Sequence, residues 1–600
     1  MIIDFFASFS FYLIPYLTGR IFTRKHVPAW IIGSLFWFIF YFLLVGVYKF
    51  INLGSFSQIV RFSIIAVSLI SLVRMAVLQL KERVKIEFKN LLIPAFLTIF
   101  SSVMYFLIWK RNTPYPLQLN WDIYEHITLV NLISQGNLSF ITSRISDTFT
   151  FSSYSPFFEI LLSLPKILAQ KSLLGIYWWL EYWHYLATVL ASYLLAKEIF
   201  PNKWLATISA LISALVFESL MVYSSLFLIP QTLVALITIL VFKDVKSYKV
   251  WHLLLFGALI LLMHYIVGSL SLVVLALGFL VSRYKFIEKH INLAVILSTI
   301  FSVALIGMNF FGRWLTLGIE EARHFNFSIW EKLGYLNNWY GAGSLILFLA
   351  GCALIVKNGN VLQKIVLILA LIILGISFAP FSYFLKFYVL GRYFVGLIIA
   401  VSLWMIVSKQ RILFRIVTVS LMMLTFTIVF YKNQLSYKEP LHFRNLETQL
   451  SYGEIEAANW LIAHKGDSQF LISDPGTQYV FEAISGVNTQ GGTYMSLSTR
   501  NTLISVDKLN DPILIKAKLL SIKDDLLKKQ NHPGKTLFVV GGRYFAWQDL
   551  PEEQKQSSFY NVWSPRLITA DDQSRIDFLS KSKQFKLIYK NSEVAIFEII

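Results

Sequence analysis

The feature that most limits what this chain can fold into is a series of long apolar runs separated by short basic loops. The runs fall at about 2–18, 27–48, 57–80, 90–109, 176–196, 204–222, 226–242, 250–263, 265–282, 291–310, 342–356, 361–380, 387–407 and 412–431. Most approach the roughly 18–20 residues that span a hydrocarbon core. Composition agrees: 56% of the 600 residues are hydrophobic and only 14% charged, against about 25% charged in soluble proteins. Mean hydropathy is +0.62. The reading is a polytopic α-helical membrane protein with about 14 transmembrane helices.

The basic loops give direction. Clusters stand at Arg20, Arg24 and Lys25; at Lys81, Arg83, Lys85 and Lys89; at Lys197 and Lys203; and at Lys243, Lys246 and Lys249. Three more follow, at Arg283, Lys285 and Lys289, at Lys357 and Lys364, and at Lys409, Arg411 and Arg415. With all seven on the cytoplasmic side of the cytoplasmic membrane, every crossing alternates and both termini lie outside. This placement accounts for the net charge of +19 without nucleic acid as a partner. The first run has no basic leader segment, carries Asp4 near its start and lacks a small-x-small cleavage site, so it reads as a retained helix. The single cysteine, Cys352, excludes an intrachain disulfide.

The stretch 250–282 tests the count. As one helix it would extend about 50 Å, too long for a core of about 30 Å. Basic clusters on both sides require an even number of crossings, so it divides into two short helices with His264 at the outer tip. Residues 204–242 divide in the same way, with Glu218 at the outer bend.

Three parts result: an N-terminal three-helix extension (1–89), a transmembrane core (90–435) with outer loops at 110–175 and 311–341, and a C-terminal part (436–600). The last is charged and mixed in pattern. YGEIEAANWLIAH is helical, FLISDPG is a strand running into a turn, TLFVVGG is a strand, and FKLIYKNSEVAIFEI is a hairpin. It reads as an extracytoplasmic α/β domain.

Chemistry gathers on the outer side. In NWDIYEHITLVNLISQG, Asp122, Glu125 and His126 stand at i, i+3 and i+4 and share one face of an outer-surface amphipathic helix. Asp122 with Glu125 also fits a capping box, and acids suit a first helical turn. The competing reading is a general base near the membrane surface, oriented by Glu125 or His126. Two carboxylates and one imidazole are too few to define a metal site, so metal ligation stays unknown and a divalent cation, Mg or Mn, stays open. Glu181 and His184 lie in the aromatic start YWWLEYWHY. Together with Glu218 and His264 they are ionisable groups in or beside the membrane, where burial is costly. Arg392, in FLKFYVLGRYFVGL, falls in the outer half of a helix. A lipid phosphate would suit its guanidinium, with Lys386 assisting. The Asp pairs at 524–525 and 571–572 read as surface residues.

Several segments together resemble the GT-C superfamily of integral membrane glycosyltransferases, which includes oligosaccharyltransferase catalytic subunits, protein O-mannosyltransferases and aminoarabinose transferases. They are DIYEH after a membrane helix, YSPFFEILLSLP, LLMHYIVGSL, GRYF, and the EIEAANWL and ISDPG segments of the C-terminal part. The likeness spans roughly 90–600, and no DxD motif occurs in the outer loops. The resemblance implies a sugar donor on a polyprenyl phosphate and an inverting transfer to a glycan, lipid or protein acceptor. It makes Asp122 the base, with Glu125 and His126 beside it. Arg392, His264 and Lys386 then face the lipid phosphate, and Glu181, His184 and Glu218 stand behind. Two other readings remain open: a transporter or lipid flippase, and a non-catalytic scaffold of the same fold.

Overall fold

The computed structural model describes residues 1–50, 55–81, 91–109, 115, 121–136, 155–200, 202–215, 228–308, 330, 344–379, 384–408, 417, 420, 424, 428, 450–464, 469–489, 495, 497–507, 509–527, 534–556 and 565–600. The apolar runs become helices: α1 (Ile2–Arg20), α2 (His26–Phe50), α3 (Phe56–Lys81) and α4 (Leu92–Met104), the last continued by a π-helical turn over Tyr105–Trp109. Two helices follow in the segment read as an outer loop, α5 (Trp121–Ile133) and α6 (Phe157–Ala169). The core continues as α7 (Leu173–Ile199), α8 (Lys203–Leu215), α9 (Pro230–Lys243), α10 (Val250–Met263), α11 (Tyr265–Arg283), α12 (Ile291–Gly307), α13 (Ser344–Asn358), α14 (Val361–Phe378) and α15 (Phe384–Ser408).

Six of these, α1, α2, α3, α11, α14 and α15, are long and apolar enough to cross a bilayer. The bent pair α6 and α7 supplies a seventh candidate span, with a 119° bend. The chain is therefore an integral membrane protein. The run 250–282 is indeed two helices: α10 ends and α11 begins at His264, whose backbone is extended. The His264 ring accepts a hydrogen bond from the Val267 amide (3.2 Å), which caps α11. The bend containing Glu218, nearly all of the loop 311–341, and all but four positions of the run 412–431 lie outside the described residues.

Helices α1 and α2 cross closely because both carry glycine at the contact. A Cβ on Gly19 would stand 1.6 Å from the Ala29 carbonyl oxygen, and one on Gly33 would stand 1.8 Å from that of Pro15. Small residues of this kind let helix backbones approach inside a membrane. The same crossing is sealed by Trp37, whose indole N–H donates to Thr18 Oγ1 (2.9 Å).

The segment 155–165 is buried among helices, more deeply placed than a juxtamembrane run. Helix α6 packs against α1, α2, α3, α5, α7 and α10. Phe157, Ile160, Leu161 and Leu164 on it are fully buried. Its end is fixed by Gln170 in the left-handed region (φ 53°), which turns the chain into α7.

The C-terminal part contains α16 (Tyr452–Ala463), β1 (Gln469–Ile472), α17 (Pro475–Ser485), α18 (Leu497–Asp507), α19 (Pro512–Leu527), β2 (Lys535–Gly541), α20 (Gly542–Gln548), α21 (Ala570–Ser580), β3 (Phe585–Lys590) and β4 (Val594–Ile599). The strands form one sheet in the order β1-β2-β4-β3. β1 and β2 are parallel, and the pairs β2–β4 and β4–β3 are antiparallel. Strand alternation splits the sheet's side chains between two cores. Leu471, Leu537, Val539 and Ile596 join the core continuous with the membrane helices. Ile472, Phe538, Val540 and Phe597 join a separate one on the far face. All four sequence patterns in this part become the expected elements, except that Asp-Pro-Gly opens a helix instead of a simple turn.

Candidate active site

Helix α5 begins at Trp121, so Asp122 lies in its first turn. Helix α5 buries its apolar face: Ile123, Tyr124, Ile127, Val130 and Ile133 are all buried, and α5 packs between α6 and α17. Three polar contacts pin its far end. Asn131 Nδ2 donates to the Ala483 carbonyl on α17 (2.8 Å). Lys166 Nζ on α6 donates to Asn131 Oδ1 (2.5 Å) and to Ser134 Oγ (3.1 Å). The helix that carries Asp122 thus joins the membrane core to the C-terminal part.

His126, one turn beyond Asp122 on the same face, pairs across α5 and α6. Its Nδ1 lies 2.7 Å from Glu159 Oε1, with the two side chains only 11% and 8% exposed. The Phe158 ring stands edge-on to the imidazole, 5.0 Å between centroids. The sequence reading sets His126 beside Asp122; the structure adds Glu159, 33 residues downstream, as a partner.

The residues read as phosphate contacts fall into two groups. His264, between α10 and α11, lies within electrostatic reach of Lys386 near the start of α15. Arg392 stands six residues further along α15, about 9 Å on at 1.5 Å per residue. It is buried, its Nη2 donates to Tyr393 Oη (3.2 Å), and its guanidinium lies 4.8 Å from that ring's centroid. Its charge reaches His184 on α7, whose Nδ1 is 3.5 Å from Tyr12 Oη on α1. So Arg392 groups with His184 and Tyr12, and His264 groups with Lys386. Glu181 is buried near Tyr105, on the inner wall of α4 and α7.

A third polar group lies in the C-terminal part, beside Tyr124 of α5. Arg543, at the start of α20, forms a two-pronged ion pair with Glu454 on α16: Nε to Oε1 at 2.8 Å and Nη2 to Oε2 at 2.9 Å. Asp474 caps α17, its Oδ2 accepting from the Thr477 amide (3.0 Å). Burial holds the Asp474 carboxyl above the usual carboxylate range despite the charge of Arg543. Burial alone would lower the Arg543 pKa, but Glu454 beside it raises it, with a smaller contribution from Tyr124 on α5. These groups occupy the carboxyl ends of the parallel strands β1 and β2, the edge where open α/β sheets bind ligands. Here that edge meets α5.

Sequence reasoning missed Glu159, Tyr12 and the Glu454–Arg543 pair. A lone acid inside FFEILLSLP is the one signal that pointed to Glu159, because an apolar helix rarely carries an unpartnered carboxylate. Of the Asp pairs, 571–572 is structural: Asp572 completes a capping box with Thr569 and pairs with Arg566. Among the described residues no three His, Cys, Asp or Glu side chains converge as metal ligands.

No family model matches the sequence, and no curated protein matches it. The chain is similar to archaeal oligosaccharyltransferase structures. One is the Archaeoglobus fulgidus enzyme tethered through a disulfide bond to an acceptor peptide containing the NVT sequon, at 11% identity, TM-score 0.48, covering 79% of this chain and 71% of that one. Another is AglB of the same organism in complex with an inhibitory peptide and a dolichol-phosphate, at 11% identity, TM-score 0.46 and the same coverage. A third is the apo form, at 11% identity and TM-score 0.46, covering 80% of this chain and 72% of that one.

Proposed function

We propose that this chain is a membrane glycosyltransferase. It moves a sugar from a polyprenyl-phosphate-linked donor to a glycan, lipid or protein acceptor on the outer face of the membrane. The observation that carries the reading is the setting of α5: a helix with a carboxylate in its first turn is held between a membrane-core helix and the α/β part above it. A lipid-borne donor and a water-borne acceptor can meet only at such a boundary.

In this mechanism Asp122 removes the proton from the acceptor hydroxyl as its oxygen attacks the anomeric carbon. The new carbon–oxygen bond forms as the bond to the lipid phosphate breaks, with inversion. The phosphate leaves with the bonding electron pair. His264 with Lys386 at the outer end, and Arg392 below them, stabilise that charge with fixed positive groups and hydrogen-bond donors. Glu125 and His126 flank the base. Glu181 and His184 stand behind these groups. The threading that accompanies this reading has about 14 crossings, with both termini and residues 436–600 outside.

The test is covalent transfer by the purified full chain in nanodiscs, with radiolabelled glucosyl and mannosyl polyprenyl phosphates as probes and extracted envelope glycans, lipids and proteins as acceptors. Label moving from lipid to an acceptor supports the reading. Movement of intact donor lipid between leaflets without covalent transfer would assign the chain to lipid translocation instead.

A further inference from the structure

Three segments far apart in the sequence bring their cations to one place. Between α9 and α10 the chain makes a 3₁₀ turn, Val245–Ser247, followed by the buried Tyr248. Lys25, from the link between α1 and α2, donates through Nζ to the Ser247 carbonyl (3.1 Å), and its ammonium lies 5.3 Å from the centroid of the Tyr248 ring. Arg283, the last residue of α11, donates through Nη2 to the Tyr248 carbonyl (3.0 Å). The two cations therefore sit on the carbonyls of consecutive residues, whose Cα atoms are about 3.8 Å apart. Lys246 and Lys249 belong to the same turn and its exit. His252, in the first turn of α10, lies within electrostatic reach of Lys25 and Lys249. Asp244, which opens the turn, pairs with Lys243 (2.6 Å). Among the described residues no carboxylate pairs with Lys25, Lys246, Lys249 or Arg283. Like charges gathered in this way repel, and an anion from outside the chain would relieve them.

The surface beside the cluster shows what kind of anion fits. Val250, Leu254 and Leu261 are all exposed, and their spacing puts them in one stripe along α10. The stripe starts at the cationic end and runs about 16 Å at 1.5 Å per residue. That is about half of a 30 Å hydrocarbon core, the depth of one leaflet. At its head the exposed Trp251 stacks on His252, 3.7 Å between ring centroids, and indoles favour the headgroup level of a bilayer. A soluble anion would use the cations and leave the stripe bare. A phospholipid uses both.

We propose that this cluster binds the phosphate of an anionic phospholipid whose acyl chain lies along α10, and that the lipid ties the α1–α2 link of the N-terminal extension to the core helices α9, α10 and α11. Lys25 and Arg283 each spend part of their donors on the turn's carbonyls, which fixes their positions. Lysine carries three N–H donors and arginine five, so donors remain for phosphate oxygens, where charge-assisted hydrogen bonds are strong. Basic pockets between transmembrane helices suit such headgroups. The proposal does not depend on the reaction that the chain catalyses.

The experiment is native mass spectrometry of the full chain, delipidated in neutral detergent and titrated with phosphatidylglycerol, with phosphatidylcholine and inorganic phosphate as comparison probes. The parent should bind one phosphatidylglycerol at least about tenfold more tightly than phosphatidylcholine. Lys25→Gln/Lys249→Gln/Arg283→Gln should weaken that binding about 10²-fold, the scale of three cations at an anionic lipid surface. Lys197→Gln/Lys357→Gln/Lys364→Gln removes the same charge from other basic loops and should cost no more than about twofold. Equal losses in the two triple variants would reduce the effect to general attraction and overturn the proposal. Inorganic phosphate that displaces the lipid at equal concentration would overturn it too, as a soluble-anion site. A second arm needs no variant: a photoactivatable phosphatidylglycerol should crosslink the parent within residues 250–261, and crosslinks confined to other helices would contradict the site.

Discussion

The ion pair between Glu454 and Arg543 should be the most sensitive single contact in the C-terminal part. Its side chains are 3% and 1% exposed, and both carboxylate oxygens are used. Removing one partner leaves the other charge buried, which costs about 3–5 kcal/mol. Glu454→Gln is the cleaner perturbation, because Glu454 also accepts from the Ser451 amide (3.1 Å) in a capping box and Gln serves that role nearly as well. The loss would therefore report on the buried charge and not on the cap. At about 1.4 kcal/mol per decade, the open population should rise about 10²–10⁴-fold. Amide hydrogen exchange over β2 in the full chain reads this directly, since exchange tracks local opening. Arg543→Met should behave alike. The double variant Glu454→Gln/Arg543→Met should recover most of the loss, because it leaves no charge buried without a partner. Either single change costing under about 1 kcal/mol, or a double variant as poor as the sum of the two, would refute the reasoning. Because Arg543 lies near Tyr124 of α5, these variants should also loosen the helix that carries Asp122.

Three further outcomes are expected. Arg392→Ala should weaken use of the donor lipid, and Arg392→Lys should restore it only in part, since Lys lacks the planar fork for phosphate; an alanine variant that binds polyprenyl phosphate like the parent makes Arg392 structural. The Asp474 pKa is raised by burial, so its stabilising contribution is full below about pH 4 and is lost as pH rises through the folded value. Asp474→Asn, with a comparably good cap, should therefore gain stability over the parent between acid and neutral pH, and a pH-independent difference would contradict this. In a chain lacking Cys352, a cysteine at Leu567, which is 82% exposed, should react with a membrane-impermeant maleimide on intact cells; reaction only after permeabilisation would invert the threading.

Elements set by length and hydropathy were legible in the sequence. The break at His264 follows from a run too long for one crossing and from basic clusters at both ends. The hairpin β3–β4 follows from two alternating runs around Asn591. Helix α6 was harder to read because thirteen residues with an internal Pro165 match neither a span nor a surface helix. Its burial comes from partners before and after it in the chain. The site shows the same division. Asp122, His264 and Arg392 stand out because polar groups near a membrane are costly one at a time. Their groupings do not, because Tyr12, His184 and Arg392 meet only through the packing of α1, α7 and α15. Hydrophobic periodicity says which face of a helix is buried, but not which distant side chain completes an ion pair there. His126 was visible for that reason, while Glu159, its partner, was not.

The central claim is that Asp122 is a base, and the most direct measurement is sugar transfer by Asp122→Asn. Asn keeps the size of the side chain but cannot take up a proton at neutral pH. Asp122 lies in the first turn of α5, so losing its charge costs only about 0.3–1 kcal/mol of favourable interaction with the helix dipole. The fold should survive, as judged by thermal unfolding of the full chain beside the parent. Turnover should fall by about 10²–10⁴ if proton removal by Asp122 carries the reaction. Turnover within about threefold of the parent, in a folded variant, is far below any general-base effect and would leave Asp122 as an acid that merely starts a helix.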